Sequence, residues 1–213
     1  MARGWRGWVS ARGAAAVIMA AGLVGCDFLQ GGLVKQPAQY TLPKGKHVLV
    51  LVEAREGVAA PPAFATTLAD QIGGALWQKK VVDAPPVPQE KLIGVQQADP
   101  EAYKRKGIAD IAQETGADVV VRVYVTQLLA VTTEDGNVAE GNAEAYVKVV
   151  DRQGSRLWPG DVTGTKVTAH VDMGLTADRS TAEILKNLEG QLGDQTERMF
   201  HEYTPEKHNE PMH

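Results

Sequence analysis

The alternation of apolar and polar positions along the chain predicts its strands and helices. Residues 47–52, HVLVLV, form an apolar run of strand length, which is typical of a strand covered on both faces. Between Phe64 and Lys80 a large apolar residue recurs at every fourth position, so these side chains share one side of a helix. Two prolines precede this helix and two lysines end it, as the helix dipole favours.

A second helix is predicted from Asp99 to about Thr115. Asp99 is a good N-cap, a proline follows it at the first helical position, and Gly116 is a typical C-terminal stop. The chain between the two helices is less regular. Val81 and the valine after it suffice only for a very short strand, and the proline-rich residues 83–97 favour an extended chain.

Residues 118–131 predict a long strand, because they are strongly β-branched. The valines at positions 119, 121, 123 and 125 share one face of this strand. Arg122, Tyr124 and Thr126 lie on the other face together with Val120. The strand therefore presents one apolar face and one mixed face.

Further elements follow towards the C-terminus. Residues 142–150 alternate as a strand, and residues 156–158 and 162–171 form another strand or strand pair. Ser180 and Glu183 form a capping box, which predicts the start of a helix. The apolar stripe of that helix comprises Ile184, Leu185, Leu188, Leu192, Met199 and Tyr203.

The order of these elements predicts one mixed α/β (α+β) domain over residues 47–204. Its mixed sheet has about five strands packed with three helices. The early crossovers imply parallel pairing, and the later hairpins imply antiparallel pairing. Residues 205–213 are polar and predict a disordered tail.

Residues 1–25 have the layout of a secretory signal peptide. Three arginines and no acidic residue come first, and an apolar stretch from Ala14 to Val24 follows. This stretch is too short to cross a hydrocarbon core, which needs roughly twenty helical residues. The leader is therefore interpreted as an export signal and not as part of the fold.

The leader ends in Leu23-Val24-Gly25-Cys26, which resembles the lipobox of bacterial lipoproteins. The resemblance implies cleavage before Cys26 and attachment of a diacylglyceryl group to its sulfur, with fatty acids such as palmitate. The alternative is an ordinary signal peptide that leaves a free thiol. Asp27 resembles a sorting signal that retains lipoproteins in the inner membrane, although either membrane remains open. Residues 26–46 are interpreted as the lipidated cysteine and a flexible tether.

Charge and cysteine content restrict the class of partner. The chain carries 22 basic and 26 acidic residues, and the leader contains three of the basic ones and none of the acidic ones. The mature chain, with 19 basic residues against 26 acidic ones, does not favour nucleic acid as a partner. Its single cysteine gives no internal disulfide, so stability must come from the core.

No catalytic, cofactor or metal site is predicted. The five histidines, at positions 47, 170, 201, 208 and 213, are scattered and lack metal-ligand spacing. Ser155 and Ser180 stand outside any nucleophile elbow. The acids at 151, 161, 172 and 178 lie near predicted turns, where solvated turn residues are favoured over a glycan-cleaving pair. The basic residues 104–106 favour a solvated helix face over a membrane contact.

Two segments carry a resemblance beyond the leader: IAQETGADVVVRVYV at 111–125 and AYVKVVDRQGSRLWPG at 145–160. They are similar to the N-terminal domain of the Tol-Pal β-propeller protein, the curli-secretion lipoprotein and the lipoprotein activators of penicillin-binding proteins. This resemblance implies a small α/β domain that faces the periplasm and serves as an adaptor or assembly subunit, not as an enzyme.

The leading hypothesis is therefore a lipid-anchored, non-catalytic protein of the bacterial cell envelope that binds other envelope proteins, with a homo-oligomer as a further option. Two alternatives remain. A lipid-binding auxiliary of a transporter would need an apolar groove between helix and sheet. A cell-wall enzyme would need a cleft with convergent carboxylates.

Overall fold

The fold is that of the predicted single domain with one mixed five-stranded sheet. The computed structural model describes residues 34–133, 139–172 and 180–205. The elements in chain order are β1 (Val48–Ala54), α1 (Pro62–Gln78), α2 (Gln89–Ala98), α3 (Pro100–Tyr103), α4 (Ile108–Thr115), β2 (Val119–Thr132), β3 (Ala139–Asp151), β4 (Arg156–Trp158), β5 (Thr165–Asp172) and α5 (Thr181–Arg198).

The sheet combines parallel and antiparallel pairs as the element order predicted. β1 pairs parallel with β2, and the helices α1 to α4 make the crossover between them. β2 pairs antiparallel with β3 along nearly its whole length. The other side of β3 is shared by β4, near the end of β3, and by β5, which follows the rest of it.

The main core lies between one face of the sheet and the helices α1 and α5. The valines at 119, 121, 123 and 125 are buried there, which confirms the predicted apolar face of β2. A smaller second core covers the opposite face only near the start of β1 and β2. There Leu49, Leu51 and Val120 pack with Leu92 and Ile111 from α2 and α4. None of the described helices packs over the remainder of this second face.

Predicted helix ends are confirmed where a local cap defines them. The Asp99 carboxylate accepts from the backbone N–H of Ala102 at 2.9 Å, and the Ser180 hydroxyl accepts from that of Glu183 at 3.2 Å. Gly116 ends α4 with a φ of 77°, a left-handed conformation that glycine adopts without strain.

The described residues contain five helices, not the predicted three. The helix expected from 99 to 115 is divided into α3 and α4, because Gly107 is extended and its N–H donates to Asp110 at 3.0 Å as the new helix starts. Residues 83–97, expected to be extended, include most of α2, which is stabilised by burial of Leu92 in the second core. Val81 and its neighbour are buried in bends and do not form a strand.

The predicted tether is too long at its C-terminal end. Gln36 pairs with Tyr203 as an isolated β-bridge, and Leu42 is 1% exposed in the main core. The backbone N–H groups of Gln39 and Tyr40 both donate to the carbonyl of Met199, at 2.8 and 3.0 Å. These contacts satisfy a carbonyl at the end of α5, so the residues from 36 onward belong to the domain. Within the described residues, no helix is long and apolar enough to span a bilayer.

Candidate functional site

The uncovered part of the second sheet face is the candidate site. Half-buried and exposed side chains lie next to one another there on four strands. We call this surface the open sheet face, and it comprises Glu53 of β1, Arg122, Tyr124 and Thr126 of β2, Glu144, Tyr146 and Lys148 of β3, and Lys166 and Thr168 of β5.

Strand register places two tyrosines at the centre of this surface. Tyr124 is opposite Tyr146 on the neighbouring strand, Glu53 flanks the pair on one side and Lys166 on the other. Directly opposed residues have Cβ atoms about 5 Å apart, so the four side chains form one continuous row. Tyrosine is common at protein interfaces, because its ring provides apolar area and its hydroxyl a polar tip.

The charges of the open sheet face are largely paired within it. Arg122 donates through Nε to Glu53 Oε2 at 2.7 Å, and its guanidinium lies 4.9 Å from the centroid of the Tyr124 ring. Lys166 Nζ lies 2.5 Å from Glu144 Oε2, and its hydrogen bond lowers the pKa of the Glu144 carboxyl. Carboxylates held by such cations suit recognition of a complementary surface better than acid-base chemistry.

A β-bulge extends this surface towards the tip of the β2–β3 hairpin. The register shifts between Val125 and Gln127, so that residues after the shift reverse their faces. Leu128 packs on the main core, and Leu129 lies on the open side with 45% of its surface exposed. An exposed leucine therefore lies on the same face as the tyrosine row, opposite Asn142 and nearer the hairpin tip.

Both edges of the sheet are partly closed by amide groups. The Gln195 side chain bonds to the N–H and C=O of Thr168, and that of Gln191 bonds to those of His170, at 2.7 to 3.4 Å. On the β1 edge, the Val87 N–H donates to the carbonyl of Val48 at 2.8 Å. Bonded edge groups are not free to pair with a strand of another chain, so the faces are the more accessible surfaces.

The histidines described here have separate partners. His47 Nδ1 lies 3.5 Å from Asp118, and His170 Nδ1 lies 2.9 Å from the side-chain oxygen of Asn142. His201 contacts Glu197 instead. No three His, Cys, Asp or Glu side chains come together as a metal site within residues 34–133, 139–172 and 180–205. The histidines at 208 and 213 lie outside those ranges.

A buried charged cluster that the sequence did not indicate joins the ends of α1 and α5. Glu197 has a side chain only 3% exposed, and its two carboxylate oxygens each lie 2.5 Å from a partner, Lys79 Nζ on one side and His201 Nε2 on the other. Lys79 and Glu197 are 118 positions apart, so no local pattern relates them. The cluster links two helices and lines neither of the cavities described below.

Two of the four predicted turn acids act as turn residues, and a third, Asp172, is the last residue of β5. Asp151 accepts from the backbone N–H groups of Gln153 and Ser155, at 3.0 and 2.8 Å. The Asp161 carboxylate accepts from the Thr163 N–H at 2.6 Å, and this bond lowers its pKa. Asp178 lies outside the described residues. Cys26 and Asp27 also lie outside them, so lipidation and sorting stay predictions.

The basic residues 104–106 and the tryptophans Trp77 and Trp158 lie in different parts of the domain. Lys104 lies 2.7 Å from Glu101, and Lys106 is paired with Glu114, which places the run beside acids of its own helices. The Trp158 ring stacks on Tyr40, with centroids 5.8 Å apart. Trp77 is partly exposed on α1.

Two of the cavities on the described surface bear on ligand binding, and both are small. One, of about 130 Å³, lies between α1 and residues 86–89 and includes Asp70 and Gly73. The other, of about 200 Å³, lies where residue 39, β5 and the end of α5 meet. Pockets for drug-sized ligands usually measure about 300–1,000 Å³. These cavities therefore suit a fragment or a headgroup rather than a whole lipid or glycan.

The similarity of this chain to known proteins lies in its backbone structure. No protein-family model matches the chain, and no curated protein matches it. The PelC dodecamer of Paraburkholderia phytofirmans is similar at 12% identity and a TM-score of 0.44, over 78% of this chain and 94% of that one. Lipoprotein GNA1162 of Neisseria meningitidis is similar at 17% identity and a TM-score of 0.39, over 70% and 94%.

A third solved chain, hypothetical protein CT253 of Chlamydia trachomatis, is similar at 16% identity and a TM-score of 0.39, over 69% of this chain and 98% of that one. The solved chains to which this protein is similar thus include a bacterial lipoprotein. The resemblance to the Tol-Pal, curli-secretion and penicillin-binding-protein activator lipoproteins stays a prediction.

Proposed function

We propose that this protein is a membrane-anchored lipoprotein of the bacterial cell envelope that acts as a non-catalytic adaptor or assembly subunit. The observation that carries the proposal is the open sheet face, where Tyr124 and Tyr146 lie side by side among charged residues and none of the described helices covers them. Such a combination of aromatic centre and polar surroundings is typical of protein interfaces.

The same surface supports binding rather than catalysis. Its acidic groups, Glu53 and Glu144, are each held by a cation of the same face, Arg122 and Lys166 respectively. General acid-base chemistry needs a titratable group within reach of a bound substrate, usually inside a cleft. A flat sheet with paired charges suits a macromolecular partner, which reads shape and charge over a wide area.

Anchoring at Cys26 would concentrate the domain near envelope partners. A single acyl chain binds membranes only marginally, whereas two anchor stably. Diffusion in two dimensions then raises the effective concentration of any partner in the same membrane. The proposal places the domain on the periplasmic side, in agreement with the export signal of residues 1–25.

Photo-crosslinking in intact cells tests the interface. A photoreactive amino acid replaces Tyr124 in one strain and Tyr146 in a second, and the control strain carries it at the exposed Thr67 of α1. We expect both tyrosine positions to yield adducts of the same mass that are absent from the control. Adducts equally strong at all three positions, or none at the tyrosines, would contradict the proposal.

Fatty-acid labelling tests the anchor separately. We expect labelled palmitate to enter the parent chain and not a Cys26→Ser variant, and the variant to leave the membrane fraction or to keep its leader. Mass spectrometry that finds an unmodified Cys26 in the mature parent chain would refute the anchor and leave the interface experiment unaffected.

A further inference from the structure

The 200 Å³ cavity at the end of α5 has the chemistry of an anion site. Among the described residues, two cationic ones, Lys166 and Arg198, line it, and no acidic one does. The remaining lining is polar or apolar: Gln39, Thr165, Val167, Gln195, Met199 and Tyr203. In a chain whose acidic residues outnumber its basic ones, a cavity with this balance is a distinct feature.

Arg198 has no carboxylate partner in the described part of the chain. Of the acidic residues nearest to it in sequence, Glu197 pairs with Lys79 and His201, and Glu202 lies 3.2 Å from Lys35. Asp194, one helical turn earlier, is exposed and forms no ion pair with Arg198. The guanidinium of Arg198 lies 5.4 Å from the centroid of the Tyr203 ring. The helix dipole favours a cation in this last turn.

We propose that this cavity, the Arg198 pocket, binds a phosphate ester, and that in the anchored protein the ester is the headgroup of an anionic phospholipid. Arginine presents a planar fork of donors that matches two phosphate oxygens. Lys166 also lines the cavity, but its ammonium bonds Glu144 on the open sheet face and has to leave that carboxylate to reach the anion. Val167 and Met199 are buried beneath and exclude water from one side.

The course of the chain places this pocket near the membrane. Gln36 donates its backbone N–H to the carbonyl of Tyr203, a lining residue, at 2.7 Å. Ten residues separate Gln36 from Cys26, and an extended chain of that length spans at most about 35 Å. Assignment of the ester to a lipid rests on the proposed anchoring at Cys26, whereas anion binding by the pocket does not.

The test uses residues 26–213 with Cys26→Ser, which carry no acyl chain. Every described element and core residue lies within residues 36–203, so this chain retains the fold. Calorimetry measures binding of sn-glycerol 3-phosphate, and cosedimentation compares vesicles of phosphatidylcholine with vesicles that also contain phosphatidylglycerol. The net negative charge of the chain opposes non-specific attraction to anionic vesicles, so preferential binding to them is informative.

We expect binding of glycerol 3-phosphate and a preference for the anionic vesicles. Arg198→Gln should weaken both at least about tenfold, because it removes the bidentate donor. Lys186→Gln is the matched control, with the same charge change at an exposed position of α5, and should alter neither by more than about twofold. Glu144→Gln should tighten binding, because it frees the Lys166 ammonium, and a misfolded variant could not produce that gain.

Every other result contradicts a stated part of the proposal. Binding of glycerol 3-phosphate without vesicle preference would retain the anion site and overturn the lipid source. Absence of both, or equal losses in Arg198→Gln and Lys186→Gln, would overturn the site. None of these results bears on acylation of Cys26 or on crosslinks at Tyr124, which are measured on the full chain in cells.

Discussion

Gly141 allows α5 to approach β3 closely, and substitution of this residue gives a sharp test of the packing. A Cβ atom at Gly141 would lie 2.4 Å from Ile184 Cγ2 and 2.9 Å from Leu188 Cδ1, both fully buried. Carbon atoms pack best at about 3.5–4.0 Å, so the added methyl intrudes by about 1 Å. Ile184 cannot easily rotate away, because a β-branched side chain in a helix has one strongly preferred rotamer.

We expect Gly141→Ala to destabilise the protein by about 2 kcal/mol. Overpacking of a core destabilises a protein by about 1–3 kcal/mol, and an overlap of this size should give a destabilisation near the upper end of that range. Replacing glycine also lowers the conformational entropy of the unfolded chain, which stabilises the folded state by about 0.5–1 kcal/mol. Gly190 provides the matched control, since it lies within α5 and an added Cβ there meets nothing within 4 Å. Gly190→Ala should therefore stabilise by about 0.5–1 kcal/mol.

Denaturant unfolding followed by circular dichroism and tryptophan fluorescence measures both changes. In thermal unfolding, the melting temperature should fall by about 4–8 °C for Gly141→Ala and rise by about 1–4 °C for Gly190→Ala. Ile184→Ala removes the clashing atom, so the double variant with Gly141→Ala should be more stable than the sum of the two single changes predicts, by at least about 1 kcal/mol. Unchanged or higher stability of Gly141→Ala would refute the close approach of α5 to β3.

Three further predictions concern polar groups. Lys79→Met should lower the free energy of unfolding by about 3 kcal/mol, because it leaves the buried Glu197 carboxylate without its ammonium partner. Glu197→Gln should lower it less, since the Lys79 side chain is 45% exposed and can turn to water. The reverse order in denaturant titrations would contradict this. The Thr196 hydroxyl is buried without a partner among the described atoms, so Thr196→Val should stabilise by about 1 kcal/mol, and a loss of stability would argue against this. The hydrogen bond from the His47 backbone N–H lowers the pKa of the Asp118 carboxyl, so the ionised carboxylate stabilises the fold above the ordinary carboxyl pKa near 4 and this stabilisation is lost as the pH falls through the lowered value. The difference in unfolding free energy between the parent and Asp118→Asn should therefore shrink below about pH 4. A difference that stays constant with pH would show that ionisation of Asp118 is not involved.

Part of the candidate site could be predicted from the sequence. Alternation along β2 assigned Arg122, Tyr124 and Thr126 to one face, because side chains in a strand alternate whatever it pairs with. It could not assign Tyr146 and Lys166 as their neighbours, since that depends on the register of β3 and β5. The bulge after Val125 reverses the alternation, so Leu129 lies on the face opposite to the one that the pattern indicates.

The fold shows the same division between local and non-local causes. Sequence alone determined the features that neighbouring residues decide: the caps at Asp99 and Ser180, the stop at Gly116 and the mixed order of strands and helices. Predictions about Cys26 and Asp27 likewise depend only on the leader and await experiment.

Only the tertiary structure decided which distant groups meet. The residues from Gln36 onward have the composition of a tether, yet they lie on the domain because their backbone N–H groups find carbonyls at the end of α5. α2 begins directly after the last proline of a segment that was expected to be extended, and it buries Leu92 in the second core. The Arg198 pocket exists because β5, α5 and the N-terminal segment converge there. Local pattern records the conformational preferences of short segments, whereas such sites depend on which segments the packing of the core brings into contact.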